Sequence, residues 1–308
     1  MQPVFPTRPA CSALWSQPGL QRRIPRQQAR PLREFSREIG GYRIRAVHMA
    51  EAEAAGSAPA VFLLHGMVDS SATWRRLLPA LAGFSVWAFD MPWSGLDGPG
   101  WPSVMTAEQW WRAALALCPE APDICIGHSF GAAVLLDWLA GDPLTAPDIR
   151  CLVLLSPFYD PAMRTWRWDD IDHLARDVPV RLREALLSRF GTTPPDAAIL
   201  AHMTAKLVER IVPDGVLELV RFGLRSRRWQ LDAVAIPALV IVGERETDAR
   251  RPYGAGLEAA LPQGERLVVE DCGHFCMHER PEQIVRRLQH WLPAALARAS
   301  QTDEVVAA

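Results

Sequence analysis

"CIGHSFGAAVLLDWL", residues 125–139, sets a serine between two glycines where a short apolar run gives way to helical spacing. Residues 123–127, "DICIG", read as a buried strand, and "AAVLLDWLA" repeats apolar residues at the period of a helix. A chain that leaves a strand and enters a helix within a few residues must bend sharply. The residue at the bend takes a left-handed conformation, and its neighbours come close to other backbone. Gly127 and Gly131 remove the side chains that would collide there. Ser129 then projects from the turn beside a helix N-terminus, where backbone N–H groups favour negative charge. This is the G-x-S-x-G pattern of a nucleophile elbow, with the N–H of Phe130 aimed where an oxyanion would form.

Outward from the elbow, strands alternate with helices. "YRIRAVHM", "AVFLLHG" (60–66), "FSVWAFD", "CLVLLS" (151–156), "ALVIVG" (238–243) and "RLVVED" (266–271) have the length and composition of strands. "TWRRLLPALAG" reads as a helix ending at Gly83, and "TAEQWWRAALALC" as one capped by Thr106. "PEQIVRRLQHWL" is a final amphipathic helix. Such alternation predicts an α/β fold, a mostly parallel central sheet with helices on both faces. Residues 158–232 hold no convincing strand. Helices are expected there over "VPVRLREALLSRF" and after Thr193-Pro194-Pro195, with a core-facing stripe of Ile199, Met203, Leu207 and Ile211. An all-helical insertion between two strands sits at the end of the sheet, where ligands bind in open α/β folds, and is read as a lid. Residues 34–297 therefore form one domain with the lid, 158–232, inserted. Residues 1–33 and 298–308 are expected to be disordered tails.

The 308 residues are enough for a sizeable core. A formal net charge of −2 gives no argument for nucleic acid or an anionic membrane as partner, and no apolar run reaches membrane-spanning length. The first 33 residues carry six arginines and no acid, but no continuous apolar segment of an export signal. Six cysteines show no disulfide framework, which suits a reducing, cytoplasmic setting. Cys272, His274, Cys276 and His278 alternate metal-ligand types without the paired spacing of a structural zinc site, so no metal is expected.

With the elbow, strand order and insertion placed, residues 35–295 resemble the α/β-hydrolase superfamily. "LLHGMVDSSATW" looks like its His-Gly oxyanion loop and "FDMPWSGLDG" like its Asp-x-Pro-Gly-x-Gly loop, with Trp93 in place of the usual glycine. "IGHSFGAA" matches the elbow, "IVGERETD" the acid turn, and "VEDCGHFCMHERPEQ" the segment with the histidine. The resemblance implies that Ser129 is the nucleophile, activated by His274 at the same sheet edge. The carboxylate that orients His274 is Glu246 at the family position, with Asp248 and then Asp160 as alternatives. Backbone N–H groups of Met67 and Phe130 make the oxyanion hole. His65 shapes its loop, Asp90 ends a strand, and His278 and His290 are solvated or structural. His65, Trp93, Trp166 and Trp168 are candidate pocket residues.

The function implied is a serine hydrolase that cleaves an ester or thioester through an acyl-enzyme, without a cofactor. Ser129 excludes the epoxide- and halide-opening branches, which use an aspartate nucleophile. The partner is a small molecule with an apolar acyl or aromatic part. A coenzyme A or carrier-protein thioester has only Arg225, Arg227 and Arg228 to suggest it. The same scaffold serves C–C bond hydrolases, lyases and cofactor-free oxygenases, and also non-catalytic accessory proteins of biosynthetic pathways.

Overall fold

The parallel strands of the centre are apolar on both sides because both faces of the sheet are covered. In a computed structural model, which describes residues 32–49, 58–96, 105–141, 149–159, 168–190, 193–246, 254 and 256–307, eight strands form one sheet. They are β1 (Leu32–Ile39), β2 (Tyr42–Met49), β3 (Ala60–Leu64), β4 (Ser85–Asp90), β5 (Ile124–His128), β6 (Cys151–Leu155), β7 (Ala238–Gly243) and β8 (Gly264–Val269). Their order is β1-β2-β4-β3-β5-β6-β7-β8. β1 and β2 pair antiparallel with each other, β2 pairs antiparallel with β4, and the remaining pairs are parallel.

Side chains alternate across the sheet. Phe62 and Leu64 enter one core with α1 (Ala107–Leu115) and α2 (Phe130–Gly141), while Val61 and Leu63 enter the other with α8 (Pro281–Ala307). Thr106 caps α1 through a full capping box with Gln109. Helix α2 is buried nearly all round, as a helix apolar on every face must be. Between β6 and β7 in the chain come α3 (Trp168–Phe190), α4 (Ala197–Val208) and α5 (Pro213–Arg225). Two short helices, α6 (Leu257–Ala260) and α7 (Cys276–Glu279), flank β8.

The structure departs from the sequence expectations in four places. The helix expected over "TWRRLLPALAG" is two 3-10 turns, Ser71–Arg76 and Leu78–Leu81. Pro79 lacks an N–H and disfavours helical backbone in the residue before it. Strand β1 was not expected, since its residues are mostly exposed and carry no apolar period. It forms by pairing along all of β2 across the Gly40-Gly41 turn, where both glycines have positive φ. The expected stripe Ile199, Met203, Leu207 and Ile211 is buried only in part, the last three being half-buried. Ile199 is 56% exposed, and Leu200, at 3%, is the buried residue.

Finally, α8 runs to Ala307, past the residue where a disordered tail was expected to begin. Its last turns are held by contacts distant in sequence. Ala299 is buried, Arg298 donates to Glu265 Oε1 at 2.9 Å, and Arg150 donates to Ser300 Oγ at 2.6 Å. Ending the chain after Ala297 is therefore expected to cost about 1–2 kcal/mol, a fall of roughly 2–6 °C in melting temperature. An unchanged thermal transition would show that these turns add nothing to the fold.

Candidate active site

The seam read from the sequence is a strained turn. Ser129 has φ 51°, its N–H donates to Leu155 O on the neighbouring strand at 2.9 Å, and α2 begins at the next residue. A Cβ on Gly127 would lie 2.8 Å from the Ala132 backbone, and one on Gly131 would lie 2.6 Å from His65 O. Both contacts are too close for any other residue, so the backbone crossing requires the two glycines.

Three distant side chains meet at this turn. His274 follows β8, and its Nε2 lies 2.9 Å from Ser129 Oγ. Its Nδ1 is hydrogen-bonded to Glu246 Oε1. Glu246 ends the 3-10 turn after β7, and its second oxygen, Oε2, accepts from Ser156 Oγ at 2.6 Å and Gly243 N–H at 3.2 Å. Burial alone would raise the Glu246 carboxyl. The facing imidazole and the two donors at Oε2 outweigh it and hold the group down at about 2. Asp248 and Asp160, the alternative acids, lie outside the described residues, as does Trp166.

His128, beside the serine, points its Nε2 at His274 O, 3.0 Å away. Burial and the neighbouring His274 push its imidazole down to about 3, so it is neutral and donates through Nε2–H. The loop carrying His274 is thus gripped through its backbone as well as its ring.

A cleft of about 760 Å³, counted with its open mouth, lies over Ser129. Met67, Val68, Ser129, Phe130, Ser156, Phe158, His274 and Phe275 line its floor, Val178, Leu182, Asp177 and Arg181 of α3 one wall, and Leu219 of α5 another. Met67 and Phe130 thus line the same cleft as the serine. His65 and Trp93 are not among the lining residues. Both are fully buried beneath the loop instead. His65 Nδ1–H donates to Gly66 O at 2.6 Å, and its Nε2 accepts from Met91 N–H at 3.0 Å. The Trp93 indole donates to His65 O at 3.1 Å, and Trp93 O accepts from Val68 N–H at 2.9 Å. Val68, a β-branched residue, is held at φ 59° by that grip. Trp168 opens α3, but its side chain lies outside the described residues.

Sequence reasoning missed Ser156, which a residue after an ordinary strand gives no signal to single out. Arg225 pairs with Asp137 and Glu218 at 2.9 Å. Asp90 takes a structural place, accepting from Ser71 N–H at 2.6 Å. His278 is buried against Thr73, and His290 is exposed on α8.

Residues 61–287 match the model of the alpha/beta hydrolase family. The chain belongs to that family. Its sheet order and the strand-to-helix elbow are those of the fold. It is 24% identical to the rat bifunctional epoxide hydrolase 2 over 81% of this chain and 54% of that protein. The chain thus spans about half the length of the curated relatives it first matches. Among solved structures, a bacterial membrane phospholipase A is 19% identical, with 86% of each chain covered and a TM-score of 0.63. The carboxylesterase CesB of Bacillus subtilis is 18% identical over 85% of this chain and 92% of its own, with a TM-score of 0.57. These two likenesses show the fold. Among the described residues no helix is long and apolar enough to cross a membrane.

The buried histidines make stability depend on pH. Burial, with Arg189 nearby, also lowers the His278 imidazole, to about 4. The unfolded chain, with histidines near 6.5, binds more protons below that value than the native state does. Their contribution is complete above about pH 6.5 and is lost as pH falls towards 4 for His278 and 3 for His128. At pH 5 each loss is about 2 kcal/mol. The melting temperature should fall between pH 7 and pH 5, and His278→Gln should make that fall shallower. Equal slopes for the two proteins would show that His278 is not neutral in the fold.

Proposed function

We propose that the protein is a serine hydrolase that cleaves esters or thioesters of apolar acyl or aromatic acids through an acyl-enzyme. The observation that carries this reading is the continuous hydrogen-bonded chain Ser129–His274–Glu246 opening on a largely apolar cleft. His274 takes the proton of Ser129 as Oγ attacks the carbonyl carbon, and Glu246 stabilises the imidazolium that forms. The backbone N–H groups of Met67 and Phe130 receive the oxyanion, each worth about 3 kcal/mol in the transition state. His274 then returns the proton to the leaving alcohol or thiol, and water attacks the acyl-enzyme by the same route. Helices α3 and α5 act as a lid whose Leu182 and Leu219 bound the acyl side.

Epoxide opening, named for the rat relative, does not suit this elbow. A carboxylate nucleophile gives an ester that water can cleave, whereas Ser129 would give an ether that it cannot. Arg225, one of the three arginines that could suggest a phosphorylated carrier, is paired with Asp137 and Glu218 and does not line the cleft.

A fluorophosphonate probe should label Ser129 and abolish hydrolysis of p-nitrophenyl butyrate. Ser129→Ala should lower turnover by about 10⁶ and Glu246→Gln by about 10⁴. Turnover of Ser129→Ala within tenfold of wild type would remove the serine from the mechanism.

Acyl selectivity tests the lid. Leu219→Trp should lower kcat/KM for an octanoate ester by about tenfold or more and leave an acetate ester within about threefold, since only a long chain reaches that wall. Equal losses on both substrates would place the acyl chain elsewhere.

A further inference from the structure

β5 and β6 lie side by side, and each is followed at once by a serine with the same left-handed backbone, Ser129 at φ 51° and Ser156 at φ 46°. Each also continues the ladder by one bond before it turns, Ser129 N–H to Leu155 O and Ser156 N–H to Ile241 O at 2.7 Å. The first presents its hydroxyl to His274 and the second to Glu246. We propose that Ser156 is a positioning residue of the catalytic chain, holding the Glu246 carboxylate so that Oε1 faces His274 Nδ1. This rests on the serine-hydrolase reading of the site.

The chemistry of glutamate creates the need. Its terminal torsion is broad and weakly restrained, and it has one more rotatable bond than aspartate. A glutamate that orients an imidazole must have its carboxylate plane fixed from the far side. Two donors do this at Oε2, and the hydroxyl at 2.6 Å holds more closely than the Gly243 N–H at 3.2 Å. Ser156 Oγ also lies 3.1 Å from His274 O. A hydroxyl has one proton, and the ionised carboxylate is both the nearer and the stronger acceptor. Ser156 is among the donors that keep the buried Glu246 carboxyl down at about 2.

The backbone argues the same way. A left-handed residue at a strand end is most easily glycine, and a buried serine there carries a conformational penalty. The turn alone does not require a hydroxyl. Glu246 does.

That difference gives the test. Ser156→Gly keeps the turn, relieves the strained φ and removes the hydroxyl, and Ser156→Ala removes the hydroxyl alone. In the full chain, both should lower kcat on p-nitrophenyl butyrate by about 10- to 100-fold with KM within about twofold. Ser156→Gly should do so with a melting temperature equal to or above that of wild type, which a merely structural residue would not allow. In a Glu246→Gln background the same change should cost under about twofold, because its target is gone. Turnover of Ser156→Gly within threefold of wild type, or an equal loss in both backgrounds, would overturn the proposal while Ser129 labelling still upheld the hydrolase reading. If wild type is neither labelled nor active, that reading falls. The low-field proton resonance of His274 Nδ1–H then decides the positioning separately. It should broaden through faster exchange in Ser156→Gly, and an unchanged signal would overturn it.

Discussion

A carboxylate buried at the C-terminal edge of a sheet must have its lone pairs occupied, or it takes up a proton and loses its charge. Glu246, 6% exposed, meets that condition through an imidazole, a hydroxyl and a backbone N–H. Those donors come from the loop after β8, the end of β6 and the end of β7. The partner imidazole reaches in turn to Ser129 at the end of β5. Satisfying one charge thus fixes four neighbouring strand ends relative to one another. His128 adds a second hold, on the carbonyl of His274.

The helical segment between β6 and β7 is fastened in two ways. Val212, Leu219 and Phe222 are buried in the core it shares with the sheet domain, although Val180, Ile199, Leu217 and Leu224 are each half exposed or more. Charged groups reach from it to the sheet domain. Arg189 on α3 pairs with the buried Asp69 of the loop after β3 at 2.6 Å, and Arg210 donates to Ser94 O at 2.6 Å. Arg225 on α5 joins Asp137 of α2 to the fully buried Glu218. Directional contacts of this kind fix register more than they add stability. They set the helices over the cleft, where α3 and α5 supply its walls.

Trp93 shows how a departure from a family pattern is absorbed. Instead of entering the cleft, the ring lies under the loop after β3 and packs against Phe130, with ring centroids 5.2 Å apart. Its indole N–H and its carbonyl take hold of the loop on either side of Met67, at His65 O and Val68 N–H. The bulk expected beside the substrate becomes support for the backbone that faces it.

The sequence alone determined the sheet strands from β2 to β8 and the elbow at Ser129. Those features follow from local rules: apolar period, caps, and glycines where backbone crowds backbone. It singled out Glu246 but left Asp248 and Asp160 open beside it, because reach and orientation at a turn depend on groups far away in the chain. Only the tertiary structure decided that Trp93 supports the loop, that Ile199 faces solvent, and that α8 continues past Ala297. The same holds for Ser156, whose partner lies 90 residues further along. In each case a side chain's place is set by contacts between segments distant in sequence, and no local pattern carries them.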